Sequence, residues 1–480
     1  MNMRLRYILT LGLAIASMAA ALEQATADPN ATPVTDVASI KVAAAREEVI
    51  KAVIYSLPLV LMDITMQRAI GLPRNGVATP INQFGHMRAF PTAAFKEVVR
   101  ANVDTLYSSA FLDLSSGPLV LSVPDTQDRY YLMPLMDAWT NVFATPGKRT
   151  TGTRAGNFLI TGPDWIGSIP AGMQQFKSPT NMVWILGRTQ TNGIEDYAAV
   201  HAIQDGYKLT PLASWGQAYV LPRGSADPTL DRNIPPVEQL KKMSAIDYFN
   251  RLSRLLKSNP PPASEAPILA KLASIGIKPG ERFDTATLDP EIAKGLDGSV
   301  ATAIEKLEQG AKQTGQAVNG WRVPAMILGN YGNNYAARAM IALIAFGANL
   351  PADAVYPTTF VDADGNPLDG AHRYILHFES GQTPPVNAFW SITMYDPQSF
   401  FVDNLLGRYA ISSWMPLTRN TDGSIDIHIQ HDSTGKEQVA NWLPAPSGGF
   451  NVTLRMYWPK SEDPSILDGS WKPPGVIRQP

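Results

Sequence analysis

Two groups of short strand-like runs, separated by a long helical stretch, constrain the fold of this chain more than any other feature. In the first group, from residue 110 to about 188, Gly, Pro, Asp and Asn divide the runs. In the second, which begins near Tyr356, residues 450–458 alternate apolar and polar side chains, which predicts a strand with one buried and one polar face. The predicted fold class is α+β, mainly β, with two antiparallel β-sandwich or barrel domains joined by a helical segment.

The change of period along the chain sets the predicted domain boundaries. Residues 28–225 are predicted to form an N-terminal helix followed by a β domain, residues 226–350 a helical connecting segment, and residues 351–480 a C-terminal β-sandwich domain. Pro58 interrupts the apolar pattern of the first helix, so this helix is expected to kink or divide there.

The N-terminus has the three-part pattern of a secretory signal peptide. Arg4 and Arg6 precede an apolar run, and small residues follow it at positions 25–27. Residues 1–27 are therefore predicted to be removed, and the protein is expected in the periplasm or secreted. No uninterrupted apolar run of about 18 residues follows, so no membrane span is expected in the mature chain.

Composition and the absence of common motifs narrow the chemistry. The chain has no cysteine, which excludes disulfides, thiol nucleophiles and zinc–thiolate sites, and its formal net charge of −2 predicts no nucleic-acid partner. The motifs G-x-S-x-G, H-E-x-x-H, G-x-G-x-x-G and G-x-x-x-x-G-K-[ST] do not occur, which counts against an ordinary α/β-hydrolase, a zincin, a dinucleotide binder and a P-loop enzyme. A triad of scattered residues stays open. No cofactor is predicted.

Neither histidine pairs nor an aspartate-rich turn predict a metal site. His372 and His377, like His428 and His431, are an odd number of residues apart in predicted strands, so their side chains point to opposite faces. The segment that starts at Asp362 begins like a calcium loop, but its sixth residue is proline where an EF-hand needs glycine. An Asp-Gly hairpin turn is the favoured interpretation.

Three residues between 102 and 149 are candidate catalytic groups. Asp104 and Tyr107 are three residues apart and would share one side of a turn or helix, where Asp104 could act as a general base and Tyr107 as its hydroxyl partner. Tyr131 is the second candidate hydroxyl partner. The alternative interpretation is that Asp104 caps backbone N–H groups of a loop.

Further residues are candidate ligand-binding groups. Arg149 could stabilise an anion, and Trp390 and Tyr395 could form a stacking platform for a sugar or an aromatic ligand. Structural ion pairs and a filled aromatic core are the respective alternatives. The complete set of ligand-binding candidates is Asn102, Arg129, Asp137, Arg149, Arg154, Trp390 and Tyr395.

Two sets of residues resemble the two domains of one bacterial family. The first set resembles the module called domain of unknown function 1254 and comprises Asn102-Val-Asp-Thr-Leu-Tyr107, Arg129-Tyr-Tyr131 with Pro134 and Asp137, and Gly162-Pro-Asp-Trp165. The second resembles the companion module, domain of unknown function 1214, and comprises Tyr335-Ala-Ala-Arg338, Asp364-Gly365, Leu368-Asp-Gly370, Phe389-Trp-Ser391, Tyr395, Asn420-Thr-Asp-Gly423 and Arg455-Met-Tyr457-Trp-Pro459. The resemblance implies two β-rich domains joined through helices and implies no reaction.

These observations lead to one expected function and one alternative. We expect an exported soluble protein that binds a small polar or glycan-like ligand in the N-terminal β domain, with hydrolysis of that ligand as a further hypothesis. The alternative is a non-enzymatic envelope scaffold or interaction protein. The 10 Trp and 16 Tyr residues favour a homo-oligomer in either case.

Overall fold

The computed structural model describes residues 37–74, 77–225, 231, 234–312 and 314–480. The predicted signal peptide lies outside the described residues. The protein is 27% helical and 24% strand, with several antiparallel sheets and helices between the sheet groups, which confirms the predicted fold class. No sheet of the described residues closes on itself, so the domains are not barrels.

Two sheets form the N-terminal β domain. One has the order β3-β4-β11-β7-β8, with β6 also paired to β11, and the other has the order β10-β9-β5-β12. Their core is filled by Leu112 of β4, Leu121 of β5, Ile160 of β9 and Ile185 of β11. The strands, with a separate hairpin of β1 and β2, are β1 (Pro73–Arg74), β2 (Val77–Ala78), β3 (Gly85–His86), β4 (Thr105–Asp113), β5 (Leu119–Val123), β6 (Tyr131–Leu132), β7 (Leu135–Asp137), β8 (Val142–Ala144), β9 (Gly156–Thr161), β10 (Gln174–Lys177), β11 (Met182–Gln190) and β12 (Lys208–Pro211).

A helical layer packs around one long helix. The helices are α1 (Val37–Gly71), α2 (Tyr197–Gly206), α3 (Pro236–Lys241), α4 (Ala245–Ser258), α5 (Ala266–Ser274), α6 (Pro290–Gly295), α7 (Ser299–Ala311) and α8 (Tyr335–Ile344), with short 3-10 helices at Ile194–Asp196, Leu212–Ser214, Ala263–Glu265, Thr285–Thr287 and Val439–Asn441. Helix α1 contacts α3, α4, α6, α7 and α8. By length and composition α1 could cross a membrane, but 78% of its most apolar window is buried in this fold.

Helix α1 is not divided at Pro58, contrary to one of the two expectations. It is one continuous helix of 35 residues. Pro58 lacks a backbone N–H, which removes one intrahelical hydrogen bond. Its neighbours Leu57 and Leu59 are fully buried against the helical layer. Burial on both sides of the proline keeps the two halves of α1 together despite that lost bond.

The C-terminal β domain also has two sheets. One has the order β13-β14-β16-β22-β18-β19, with β15 also paired to β22, and the other has the order β21-β20-β17-β23. Leu376, Ile392, Ile427 and Leu454 lie in the core between them. The strands are β13 (Gln316–Val318), β14 (Trp321–Val323), β15 (Ala354–Val355), β16 (Thr358–Thr359), β17 (Tyr374–Phe378), β18 (Val386–Tyr395), β19 (Ala410–Ser412), β20 (Ile425–Gln430), β21 (Trp442–Pro444), β22 (Asn451–Pro459) and β23 (Val476–Arg478), so β13 and β14 come from the stretch predicted to be helical.

Strand β22 is buried on both faces. Val452, Leu454 and Met456 face the C-terminal core, as the alternation predicts. The polar residues of the other face, Thr453 and Arg455, are 1% and 5% exposed. The polar face of β22 therefore packs against another part of the protein and does not face solvent.

The two β domains meet at an aromatic contact. Tyr130 and Leu132 of the N-terminal domain pack with Ala354, Phe389 and Tyr457 of the C-terminal domain. The rings of Phe389 and Tyr457 stack with centroids 4.3 Å apart, and Tyr130 meets both edge-on. This contact fixes the outer face of the N-terminal β4–β11 pair opposite the polar face of β18 and β22.

Candidate functional site

Ionisable and hydroxyl side chains from both β domains meet at the domain boundary. We call this group the interdomain cluster. Its members from the N-terminal domain are Asn102, Asp104, Tyr107 and Arg188, and its members from the C-terminal domain are Tyr356, Ser391, Tyr395, Ser412, Arg455 and Tyr457.

Asp104 precedes β4 and is 0% exposed. Its carboxylate accepts hydrogen bonds from Ser391 Oγ at 2.7 Å, Ser412 Oγ at 3.3 Å and Tyr457 Oη at 3.3 Å. Arg455 Nε lies 3.9 Å from Asp104 Oδ2. Burial raises the pKa of Asp104, while the Arg455 charge and the three hydroxyl donors oppose that rise. The carboxylate thus serves as an acceptor that the C-terminal domain satisfies.

Arg455 ties β22 to the chain that leads into β4. Its Nη2 donates to the backbone carbonyl of Arg100 at 2.6 Å and to Tyr395 Oη at 2.6 Å. Tyr395 in turn donates to the carbonyl of Ala101 at 2.5 Å. The guanidinium carbon of Arg455 also lies 5.1 Å from the centre of the Tyr356 ring. These contacts place one buried cation next to a tyrosine ring.

Arg188 repeats this arrangement on the N-terminal side. It pairs with Tyr107 across β11 and β4, and its guanidinium carbon lies 5.1 Å from the centre of the Tyr107 ring. Its Nη1 donates to Asn349 Oδ1 at 2.7 Å and to the carbonyl of Leu186 at 3.0 Å, and its Nη2 to the carbonyl of Gly347 at 3.3 Å. All of these acceptors are uncharged.

Tyr107 and Tyr356 are the cluster members that are half-buried. The hydroxyl of Tyr107 accepts from Asn102 Nδ2 at 2.8 Å, and that of Tyr356 accepts from Asn349 Nδ2 at 2.9 Å. Since Arg188 and Arg455 lie beside these two rings, the tyrosines connect the buried charges to the surface.

The structure brings four of the predicted site residues together and separates others. Asn102, Asp104, Tyr107 and Tyr395 belong to the interdomain cluster. Tyr131 packs in the core of the N-terminal sandwich, where its hydroxyl lies 3.2 Å from Thr151 Oγ1. Tyr131 is therefore not placed beside Asp104, because it lies between the two N-terminal sheets.

The predicted arginines do not converge on one site. Arg129 forms a bidentate ion pair with Asp196, with nitrogen–oxygen distances of 2.5 and 2.8 Å. Arg149 forms a similar pair with Asp353, at 2.6 and 3.0 Å. Arg154 is exposed. For the first two arginines, these pairs correspond to the alternative interpretation of structural ion pairing.

Asp137 and Trp390 lie outside the interdomain cluster, and their contacts stabilise a loop and a core, respectively. The Asp137 carboxylate accepts from the backbone N–H groups of Trp139 and Asn141, both at 2.9 Å, and is buried. Trp390 packs in the C-terminal core against Phe378, with ring centroids 5.4 Å apart. Trp390 thus lies on the opposite face of β18 from Ser391 of the interdomain cluster.

Three cluster members, Arg188, Tyr356 and Arg455, are not among the site residues predicted from the sequence. Arg188 and Arg455 interrupt strands whose other residues are mostly apolar, and a charged residue at a buried strand position could have drawn attention to them. Tyr356 carries no such signal, because a tyrosine fits any half-buried strand end.

Among the described residues, no group of three or more His, Asp or Glu side chains is arranged to hold a metal ion. His377 instead pairs with Asp426 across β17 and β20, with Nδ1 2.6 Å from Oδ1. The aspartate of the suspected calcium loop, Asp362, accepts from the backbone N–H groups of Asp364 and Asn366 at 3.0 and 2.9 Å, as in a turn.

Both β domains match known families. Residues 81–211 match the family described as protein of unknown function (DUF1254), and residues 353–461 match the domain DUF1214. The chain belongs to the DUF1254–DUF1214 family. Every residue of the interdomain cluster lies inside one of the two matched regions, so the cluster is built by the two family domains together.

Comparison with solved structures identifies a protein that shares this fold. The crystal structure of the VPA0106 protein from Vibrio parahaemolyticus is similar with a TM-score of 0.68 and 23% identity, over 91% of this chain and 100% of that chain. A crystal structure of an uncharacterized protein from Burkholderia cenocepacia has a TM-score of 0.43 and 9% identity, over 92% of this chain and 94% of that chain. No curated protein matches the sequence.

Proposed function

We propose that this DUF1254–DUF1214 protein is exported and binds a small polar ligand at the interdomain cluster. The observation that carries the proposal is a group of buried charges and hydroxyls reached through two half-buried tyrosines, Tyr107 and Tyr356. Small-molecule sites occur preferentially at domain interfaces, where a few convergent polar groups orient the ligand. The N-terminal pattern of residues 1–27 supports export.

Binding is a better-supported role than hydrolysis. Ser391 and Ser412 donate to Asp104, but within the described residues no histidine forms a hydrogen bond with either serine. A serine hydroxyl that donates to a buried carboxylate keeps its proton unless a base with a matched pKa removes it. The role supported for Asp104 is therefore to orient the hydroxyls of the C-terminal domain.

A thermal-shift screen with sugars, organic acids, nucleosides and amino acids tests the proposal. A ligand that binds the folded state raises the melting temperature by mass action. At a ligand concentration one hundred times Kd, the free energy of unfolding increases by about 2.7 kcal/mol. We expect one ligand class to raise the melting temperature of the wild type and not of Tyr356→Ala. Tyr197→Ala, which removes a tyrosine of α2 outside the cluster, is the matched control.

Two results would contradict ligand binding at this place. One is a melting temperature that no ligand class raises. The other is a ligand that stabilises Tyr356→Ala as much as it stabilises the wild type and Tyr197→Ala.

An apolar groove supports the second candidate function, an envelope interaction protein. Met326, Ile327, Leu350 and Leu467 line an open groove of about 410 Å³, and Met326 and Ile327 are 37% and 40% exposed. Exposed apolar side chains of this size favour protein contacts. Under this alternative, Ile327→Glu should convert an oligomer into a smaller species in light scattering, and an unchanged mass would exclude the groove as the interface.

A further inference from the structure

Arg188 differs from the other buried arginines in the part of the chain that the structure describes. Arg338 Nη1 lies 3.4 Å from a carboxylate oxygen of Glu265, and Arg455 Nε lies 3.9 Å from one of Asp104. Arg188 is 5% exposed. No carboxylate oxygen of the described residues lies within 4.0 Å of its guanidinium nitrogens, which is the limit for an ion pair. Among the described residues its Nε has no hydrogen-bond partner, a feature that it shares with the Nε of Arg338 and of Arg455. Burying a cation without an ion-pair contact is costly, which makes Arg188 a candidate binding group.

Tyr107 adds an unused hydrogen-bond donor beside Arg188. Asn102 Oδ1 accepts the backbone N–H groups of Asp104 and Thr105, both at 3.0 Å, which fixes the orientation of the Asn102 amide. Its Nδ2 is therefore the group that meets the Tyr107 hydroxyl, and the Tyr107 oxygen accepts. Among the described residues, the hydroxyl proton of Tyr107 has no acceptor.

Tyr356 has the same arrangement on the C-terminal side. Asn349 Oδ1 accepts from Arg188, so Asn349 Nδ2 is the donor to the Tyr356 hydroxyl. Burial raises the pKa of Tyr356, which keeps its phenol protonated at neutral pH. In the described part of the protein this hydroxyl proton, too, has no acceptor. Two O–H donors and a guanidinium without an ion-pair contact therefore lie in one place.

We propose that the ligand of the interdomain cluster carries a carboxylate or phosphate group, received by the hydroxyls of Tyr107 and Tyr356 and by the charge of Arg188. This inference rests on the proposed function and adds the chemical class of the ligand. An oxyanion supplies the acceptors that both phenols lack and the direct ion-pair contact that Arg188 lacks. Hydrogen bonds to a charged group are also stronger than those to a neutral one.

Paired acidic and neutral probes test the inference by calorimetric titration of the purified protein. The probes are succinate with succinamide, benzoate with benzamide, and inorganic phosphate and glycerol 3-phosphate with glycerol. We expect at least one acid to bind at least about tenfold more tightly than its neutral counterpart, as the loss of a charged hydrogen bond predicts. Carboxylates and phosphates would bind the same donors. The class that binds with the higher affinity indicates the anionic group of the natural ligand.

Tyr→Phe variants locate the binding with little change of packing. Tyr107→Phe and Tyr356→Phe should each weaken binding of the acid by about tenfold or more and leave the neutral probe unaffected. Tyr131→Phe removes a buried hydroxyl outside the cluster and should bind like the wild type. Arg188→Met should abolish binding of the acid, and the two tyrosine variants keep the test decisive if Arg188→Met does not fold.

Three other results would contradict the inference, and they can be distinguished from one another. If a neutral ligand binds as tightly as its acid and Tyr356→Ala still prevents that binding, the ligand is not an anion but the binding site stands. If an acid binds equally well to the wild type, Tyr107→Phe and Tyr356→Phe, it binds elsewhere. If none of these acids binds, the inference is wrong. The thermal-shift screen with the other ligand classes then tests the proposed function separately.

Discussion

Single aspartates close five-residue loops in both β domains. Asp137 and Asp362 each accept from the backbone N–H groups two and four residues ahead, and each also accepts from the side-chain amide of the fifth loop residue, Asn141 or Asn366. The backbone N–H of each aspartate donates to the carbonyl of that same asparagine. Asp-x-x-x-Asn is thus a local signal for a closed loop, which explains the surroundings of Asp137 without a ligand.

Asp137 should make the stability of the protein depend on pH. Burial raises the pKa of Asp137 to about 6, against hydrogen bonds from Asn141 that lower it. Because the folded-state pKa is above the unfolded value of 3.8, the stabilisation is complete below about pH 4 and is lost as pH rises through about 6. The wild type should lose up to about 3 kcal/mol over this range, and Asp137→Asn should lose clearly less in urea unfolding at a series of pH values.

Asn141→Ala is the control for this pH dependence, because it removes a side-chain donor and leaves the carboxylate in place. It should retain the pH slope or make it steeper. Equal slopes for the wild type and Asp137→Asn would show that another group causes the pH dependence.

Helix α4 shows how a local sequence signal can be sufficient at the scale of an element. Ser244 Oγ accepts the backbone N–H of Asp247 at 3.1 Å and donates to the Asp247 carboxylate at 2.7 Å. The acidic residue in the first turn also complements the helix dipole. Apolar residues at helical spacing then bury one face of α4, with Tyr248 and Leu252 at 0% exposure.

Ser244→Ala should lower the free energy of unfolding by about 1 kcal/mol, because the first turn of α4 loses its side-chain cap. Urea unfolding followed by circular dichroism measures this change. Ser274→Ala is the matched control, since within the described part of the chain the exposed Ser274 hydroxyl bonds only to the Lys271 carbonyl of its own helix, α5. Equal effects of the two substitutions would argue against a capping role for Ser244.

At the scale of the whole molecule, the two β domains share one buried polar boundary. The outer face of the β4–β11 pair is covered at one end by helices, where Phe111 and Trp184 pack, and at the other end by the C-terminal domain. Asp104 and Arg455 meet at this second end. Each domain therefore completes the hydrogen bonds of the other, so the ligand binding that we propose would depend on the relative position of the domains.

Asp104→Ala should lower the free energy of unfolding by about 3–5 kcal/mol, because it leaves Arg455 buried without its carboxylate and removes the acceptor of three hydroxyls. Asp403→Ala is the control, because Asp403 accepts from the hydroxyl of Tyr409 at an exposed position. It should cost less than about 1 kcal/mol. Equal losses in denaturant unfolding would contradict the stabilising role of Asp104 at the boundary.

The sequence by itself determined the elements whose signals are local. Residues 119–123 form β5 as predicted, and residues 388–395 lie within β18, because turn residues and alternation act on neighbouring positions. The two family domains were identifiable for a similar reason, since their motifs are short and keep their order along the chain.

Only the tertiary structure decided which face of each strand is covered and which residues share a site. Arg188 and Asn349, or Asp104 and Arg455, are separated by more than a hundred residues, and their contact depends on how two separately folded sheets pack. The polar alternation of β22 predicts a solvent-facing surface in an isolated domain, and the N-terminal domain instead buries it. Local periodicity records the polarity of a face, whereas the partner of that face is set by long-range packing.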